Sequence, residues 1–581
     1  MRKNMKVKGL TLVLTASILA SLLAGCGMKD ESTVEAPTSE NFAEDYADEY
    51  ESDYEATEEP AADYEYVGET AEECYEAEDY AGAEKSLMQD SVATNGSMEY
   101  RDVMPEYYEE DYNNEEYEKA EENGFCMVAT QPLSTFSADV DTASYANIRR
   151  MIEDGYSLYD IHPDAVRAEE FINYFSYDLN LPEKGEKFGI TTEVAPCPWN
   201  DDHHLMMVGM RTEAIDLDEA PDNNLVFLLD VSGSMSDPDK LPLLQDSFKE
   251  LVEELDEDDT VSIVTYANGV DVVLRGASGD EKEEICDAID SLYASGATNG
   301  EGGIQKAYRL AEANFIEGGN NRIILATDGD LNVGVSEPDE LERLIEDKRD
   351  SGVYLSVLGF GTGNLKDNNM ERLADCGNGN YAYIDSLFEA KKVMVEEMGA
   401  TFVTVAEDVK LQVEFNPATV NSYRLIGYEN RMLEATDFND DTKDAGEIGA
   451  GHTVVALYEI IPAGSEDEIV LKYQHAKEDV AHTDVKVSDE FATVSVRYKE
   501  PGKSRSQLES YVVGEGDWSR NPSDDFIFAS LVAEFAMILS DSPNKGDATL
   551  EGILDEYEML DLDDEYKDEF YYMVKMLAKR Q

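Results

Sequence analysis

The sequence predicts an α/β protein in which a doubly wound, mostly parallel sheet is inserted between flanking segments of an antiparallel β-sandwich and followed by a helical C-terminal part. Three observations predict it. Between Leu225 and Met398, short apolar runs alternate with amphipathic stretches, the pattern of strands joined by crossover helices. On both sides of this unit, runs alternate with period two, as antiparallel strands with one wet face do. Near the C-terminus, from Phe526 to Leu539 and from Tyr566 to Leu577, the apolar spacing becomes helical and amphipathic.

In chain order, Arg2, Lys3, Lys6 and Lys8 precede the apolar run Leu10 to Leu23, the charged and apolar regions of a secretory signal too short for a stable membrane span. The run ends in Leu23-Ala24-Gly25-Cys26, which resembles the bacterial lipobox. That resemblance implies cleavage after residue 25, diacylation of Cys26 and a protein held by lipid on the extracytoplasmic face of the cell membrane. An ordinary cleaved signal is the alternative. Stable anchoring needs more than one acyl chain, which such a lipidation supplies.

From residue 26 to residue 125, carboxylates and tyrosines far outnumber Lys29, Lys85, Arg101 and Lys119, the composition of a disordered, self-repelling linker. Even without repulsion such a linker spans about 55 Å root-mean-square, and a role as a calcium buffer or as a ligand in its own right is the competing reading. The whole chain of 581 residues carries a formal charge of -83, which repels nucleic-acid phosphates and excludes them as partners.

Mixed composition returns near Phe125. The segment Ser134 to Tyr145 leads into a helical stretch, Ala146 to Asp154, and Arg167 to Phe175 follows. These segments resemble the N-terminal flank of a family of bacterial lipoproteins that carry a von Willebrand factor A (VWA) domain. The flank is assigned to residues 126–220, with strands at Gly189 to Ala195 and His204 to Met210. The central domain, residues 221–400, has expected strands at Leu225 to Val231, Thr260 to Tyr266, Val270 to Leu274, Arg322 to Thr327, Val353 to Gly359 and Asn380 to Ile384. The first and fourth are almost continuously apolar, as parallel strands covered on both faces are. Between the first two, Leu241, Leu244, Phe248, Leu251, Val252 and Leu255 recur at helical spacing, with Pro242 in the first turn. The β-rich flank, residues 401–500, has strands at Val409 to Phe415, Thr453 to Ile461, Ile469 to Tyr473 and Phe491 to Tyr498, and 501–581 is the helical region. Neither flank alone has strands enough for a closed core, so the two are expected to pair into one sandwich.

The motif that carries chemistry is Asp230-Val231-Ser232-Gly233-Ser234, at the end of the first apolar strand, where a doubly wound sheet places its ligand site. It is similar to the DxSxS motif of the metal-ion-dependent adhesion site of VWA domains. The resemblance implies two further positions, filled here by Thr298 in Ser295-Gly-Ala-Thr-Asn-Gly300 and Asp328 in Ala326-Thr-Asp-Gly329. It further implies hydroxyl ligands from Ser232, Ser234 and Thr298, with Asp230 and Asp328 acting through bound water or at longer range. Mg²⁺ suits this set, since it wants octahedral oxygen and keeps its waters; Mn²⁺ and Ca²⁺ are the alternatives. With little negative charge bound directly, one position stays open to an Asp or Glu of a protein ligand, so the implied role is adhesion.

Hydrolysis would need a base beside metal-bound water, commonly His or Glu, and none accompanies these motifs; no enzyme is expected. The alternative is a metal-dependent hydrolase of envelope polymers. Asp328 to Gly334 mimics the opening of an EF-hand loop, but its glycine falls one position late. Gly359-Phe-Gly-Thr-Gly363 lacks the Lys-Ser/Thr of a phosphate loop and reads as a tight strand-to-helix turn. His203 and His204 are adjacent on a strand and so face opposite ways. Besides Cys26, Cys74, Cys126, Cys197, Cys286 and Cys376 are odd in number without CxxC spacing, which signals neither zinc nor a disulfide framework, although one pair could form outside the cell.

Overall fold

The computed structural model describes residues 115–580 apart from 120, 139–140, 216–219, 330–337, 399–402, 444, 466 and 468–488. The signal and lipobox with Cys26, nearly all of the acidic linker with Cys74, the expected strand Ile469 to Tyr473 and most of the EF-hand-like loop lie outside the described residues.

Defined contacts start at Glu115, ahead of Phe125: Glu116 donates its backbone N–H to the Leu365 carbonyl at 3.0 Å. The N-terminal flank then forms β1 (Cys126–Met127), β2 (Leu133–Ser137), α1 (Ala143–Glu153), α2 (Ala168–Asn173), β3 (Phe188–Pro196) and β4 (His204–Thr212). The central domain follows as β5 (Asn223–Asp230), α3 (Leu241–Glu254), β6 (Thr260–Tyr266), β7 (Val270–Ser278), α4 (Lys282–Asp290), α5 (Gly300–Ala313), β8 (Asn320–Thr327), α6 (Pro338–Arg349), β9 (Tyr354–Phe360), α7 (Asp367–Cys376), β10 (Tyr381–Ile384) and α8 (Leu387–Lys391). The second flank supplies β11 (Thr404–Phe415), β12 (Val420–Ile426), β13 (Gly446–Gly449), β14 (Thr453–Pro462), β15 (Ala492–Lys499) and β16 (Ser506–Val513), before α9 (Asp524–Leu539), α10 (Leu550–Tyr557) and α11 (Glu565–Ala578).

The central sheet has the order β10-β9-β8-β5-β6-β7, parallel except for the β6–β7 pair. Alternation along β5 builds both of its cores: Leu225, Phe227 and Leu229 pack with α3, α4 and α8, while Val226 and Leu228 pack with α5, α6 and α7. This is the doubly wound fold expected, with β5 at the point where strand order reverses.

The flanks share one sandwich. One sheet runs β1-β12-β14-β4-β3, so β4 of the first flank pairs with β14 of the second, and the other runs β13-β11-β15-β16 with β2 also on β11. Met206, Val208, Val454 and Ala456 face Leu411, Val413, Val494 and Val496 in the core between the sheets.

Two expectations differ from the structure. β4 and β14 have no wet face, because Leu205, Met207, Val455 and Leu457 pack outward against α1, α2 and the C-terminal helices. β15 does alternate. For the same reason α9 is not amphipathic: from Phe528 to Leu539 every residue is buried, enclosed between the sheet and its fellow helices. Among the described residues Cys126, Cys197, Cys286 and Cys376 are free thiols.

Ion pairs fasten the central domain to its flanks. Arg149 of α1 donates to Asp385 at 2.6 Å and Glu389 at 2.7 Å just after β10, to Tyr174 at 2.8 Å and to Glu569 of α11 at 3.1 Å. Arg167 holds Asp367 and Glu170, and Arg431 reaches Asp141 at 2.9 Å and Asp375 at 2.8 Å. Glu534 in α9 has no such cation among the described residues. Burial, reinforced by Glu556 of α10, raises its carboxyl from 4.5 to about 8. Ionisation in the fold is then harder than in the unfolded chain, so the protein is free of this penalty below pH 4.5 and loses stability as pH rises toward 8. Glu534→Gln is expected to flatten that decline and to raise the unfolding free energy at pH 8.5 by about 3–5 kcal/mol, with little change at pH 4.5, as read by urea unfolding at both values.

Candidate metal centre

The site lies at the carboxyl edge of the sheet, in the crevice between β5 and β8, where a doubly wound fold opens to a ligand. Asp230 is the last residue of β5 and wholly buried; Asp328 follows β8 and is 1% exposed. After Asp230 the chain makes a 3-10 turn, Gly233–Ser236, which leaves Ser232 buried and Ser234 exposed. The turn sets the two hydroxyls 2.9 Å apart. Asp230 is oriented from both sides, Oδ1 accepting the Ser232 backbone N–H at 2.8 Å and Oδ2 the Thr327 hydroxyl at 3.2 Å.

Thr298, half-buried, sits on the loop between α4 and α5. That loop is laced to the motif by Ser295 N–H to the Val231 carbonyl at 2.8 Å and Gly233 N–H to the Gly296 carbonyl at 2.9 Å. The structure therefore brings Asp230, Ser232, Ser234 and Asp328 to one sheet edge and seats the Thr298 loop against them.

Burial, with the Asp328 charge as a lesser contribution, lifts the Asp230 carboxyl to about 6, against the hydrogen bonds from Ser232 and Thr327 that favour its charged form. Asp328 Oδ1 is buried and has no hydrogen-bond partner among the described residues. A buried carboxylate oxygen left bare is costly, and beside two adjacent hydroxyls it is the environment a hard cation satisfies. The donor set fits a divalent ion bound mainly through hydroxyls and water. Among the described residues no cluster of three His, Cys, Asp or Glu forms an alternative metal site.

Two residues of the site have no motif to mark them. Lys240, immediately before α3, donates from its ammonium to Asp328 Oδ2 at 3.0 Å. Asn268, in the turn between β6 and β7, accepts the Ala297 N–H at 2.8 Å, and Gly296, at φ +87°, has no Cβ to strike the Asn268 amide. Both act across loops whose shapes depend on glycines, and residue spacing does not encode that. The Gly359–Gly363 run is the strand-to-helix turn expected, with Gly361 at φ +72° and Gly363 at φ +83° between β9 and α7. His203 and His204 are not a metal pair: His203 faces Glu459, whereas His204 packs on Trp518 with ring centroids 4.4 Å apart.

Known sequences match the chain in three consecutive blocks: a family described as von Willebrand factor over residues 111–207, the von Willebrand factor type A domain over 224–397, and the C-terminal region of uncharacterized protein YfbK over 400–579. The YfbK protein of Escherichia coli K12 is 44% identical over 434 residues, 73% of this chain and 74% of its own length. The chain belongs to the YfbK family. Its VWA region is also similar to the human inter-alpha-trypsin inhibitor heavy chain H3, 27% identical over 159 residues, 26% of this chain and 18% of that protein. A solved von Willebrand factor type A structure from Catenulispora acidiphila is similar over 70% of this chain and 88% of that one, at 15% identity and a TM-score of 0.37. In this YfbK-family chain the motif lies within the VWA match and the C-terminal helices within the YfbK match.

Asn268→Ala removes the acceptor that holds Ala297 while sparing the Asp230–Ser234 frame. It is expected to cost about 1 kcal/mol and to speed amide exchange at residues 296–299 without touching β5 or β8, measured by hydrogen exchange with mass spectrometry.

Proposed function

We propose that this YfbK-family protein is a lipid-anchored, extracytoplasmic protein of the cell membrane whose VWA domain holds a divalent cation and captures an Asp or Glu side chain of a protein partner, without catalysing a reaction. The observation that carries the reading is the convergence of Asp230, Ser232, Ser234 and Asp328 at the switch point of the sheet, with one buried Asp328 oxygen unpartnered among the described residues.

Ser232, Ser234 and Thr298 would hold the cation directly, and Asp230 and Asp328 would balance its charge. A cation bound through neutral hydroxyls supplies an electrophilic centre with room for one external carboxylate oxygen. Mg²⁺ is the first choice, with Mn²⁺ and Ca²⁺ as alternatives. The exposure of Ser234 leaves the site open to a partner. Adhesion over catalysis is favoured by the positions of the described histidines: His162, His203, His204 and His452 all belong to the flanks, so none stands by as a general base. The anchor reading rests on residues 1–26 of the sequence; no described helix is long and apolar enough to cross a membrane.

Calorimetric titration of Mg²⁺ and Mn²⁺ into the full chain tests the metal reading, with Asp230→Ala as the background for cations gathered by the acidic tract. One saturable site in the parent, absent from both Asp230→Ala and Thr298→Ala, is expected; identical isotherms for all three would sink it. For the anchor, Cys26→Ala is expected to move the protein from the membrane fraction to the soluble one, and unchanged membrane recovery would count against lipidation.

A further inference from the structure

Lys240 occupies a position that helix energetics disfavours. It is the residue before α3, where Ser, Thr, Asp or Asn is preferred and the helix dipole repels a cation. Its side chain is nevertheless 6% exposed, and among the described residues Asp328 is the one hydrogen-bond partner of its ammonium. The slot for its stem is built by Gly361, whose left-handed conformation admits glycine and where a Cβ would collide with the Lys240 side chain. A buried cation is therefore held within the centre, on one of the two carboxylates that balance the metal.

We infer that Lys240 is a built-in counter-ion of the metal centre: it keeps Asp328 in place when no cation is bound, weakens cation binding by its own charge, and leaves the loaded site with a surplus positive charge that an incoming carboxylate neutralises. The inference rests on the metal reading above. A divalent ion facing Asp230 and Asp328 alone would make a neutral centre, and a partner carboxylate would then add an unbalanced negative charge. With Lys240 present, the loaded centre is positive by one, and the carboxylate brings it to neutrality. Cation and carboxylate then bind cooperatively, each tightening the other by the same factor, and the site discriminates between a cation alone and a cation with its partner.

The test is calorimetric Mn²⁺ binding to the full chain and to Lys240→Met, with and without acetate as the carboxylate probe, over the Asp230→Ala background. Lys240→Met is expected to bind Mn²⁺ roughly tenfold tighter in the absence of acetate, as removal of one nearby positive charge in a partly desolvated site predicts. Acetate is expected to tighten Mn²⁺ binding several-fold in the parent and much less in the variant. Thermal melting in EDTA adds a control, made also on Lys240→Gln: both variants should melt lower than the parent, and Mn²⁺ should close the gap. Equal Mn²⁺ affinity in parent and Lys240→Met, with the site still lost in Asp230→Ala, overturns the inference and leaves the metal reading standing, as does a melting deficit that Mn²⁺ leaves unchanged. If the parent shows no site beyond the Asp230→Ala background, the metal reading fails and the inference with it.

Discussion

The pairing of β4 with β14 constrains everything else. Eight residues of each strand, from Thr453 opposite Arg211 to Ile460 opposite His204, are locked in antiparallel register, although some 240 residues separate them in sequence, as the Thr212 hydroxyl bonding the Gly449 and His452 carbonyls illustrates. A strand pair of that separation closes a long loop, and closure entropy grows only slowly with loop length. A segment that folds on itself into a doubly wound domain can therefore be inserted at modest cost, provided its two ends emerge close together. The closed loop holds the whole central domain, from β5 at Asn223 to α8, with its candidate metal-site motif, and then β11 to β13, which return to the sandwich before β14.

Closure fixes where the domain is attached, and the buried ion pairs fix how it is turned. Arg149, Arg167 and Arg431 all come from the flanks, and their carboxylates Asp385, Glu389, Asp367 and Asp375 all come from the C-terminal half of the central domain. Asp141 adds a backbone tie, accepting the Tyr381 N–H at 2.8 Å. Desolvation takes back much of what such pairs gain, so their consequence lies less in stability than in geometry. A bidentate guanidinium tolerates few orientations of its partner; Arg149 on Asp385 and Arg167 on Asp367 are two such clamps, and Arg431, spanning Asp375 and Asp141, adds to them in restricting how the domain docks against the sandwich.

What the sequence made legible follows from which residues carry a local period. β5, β6 and β8 were readable to within two or three residues because their runs are mostly apolar, and Asp230 and Asp328, at the ends of two of those strands, were picked out by their resemblance to the adhesion-site motif. β12 was not: its run Val420-Asn-Ser-Tyr-Arg-Leu-Ile426 includes Arg424, a buried cation paired with Glu459 at 2.6 Å and Glu122 at 2.8 Å, which breaks the apolar alternation. β2 and β16 are similarly masked by serines and a glutamate that satisfy partners elsewhere in the fold. The helical layer over β4 and β14 was unreadable as such, since only tertiary packing decides whether the second face of a strand meets water or another helix. Lys240 and Asn268 belong to the same class, because each acts across a gap that exists only after the chain has folded.

The ion pairs and the candidate metal centre are joined by one short piece of chain. Arg167 grips Asp367, the first residue of α7, and Tyr381 donates its hydroxyl to the same carboxylate at 3.0 Å. The residues just before Asp367 are the turn that carries Gly361, against which the Lys240 stem lies, and the segment Asn364 to Lys366 packs so closely on Gly329 that a Cβ there would strike its backbone. Glu115 adds to this corner, taking the Gly363 N–H at 3.1 Å together with the Arg150 guanidinium. The turn that meets Asp328 from this side is thus itself tied, at Gly363, Leu365 and Asp367, to segments outside the central domain. A VWA domain cut free of its flanks would keep β5 and its DxSxS turn, which are internal to the sheet, but would lose the support of the turn that seats Lys240. The flanks are in that sense part of the site: the sheet ends supply Asp230 and Asp328, and segments outside the domain brace the turn against which the Lys240 stem lies.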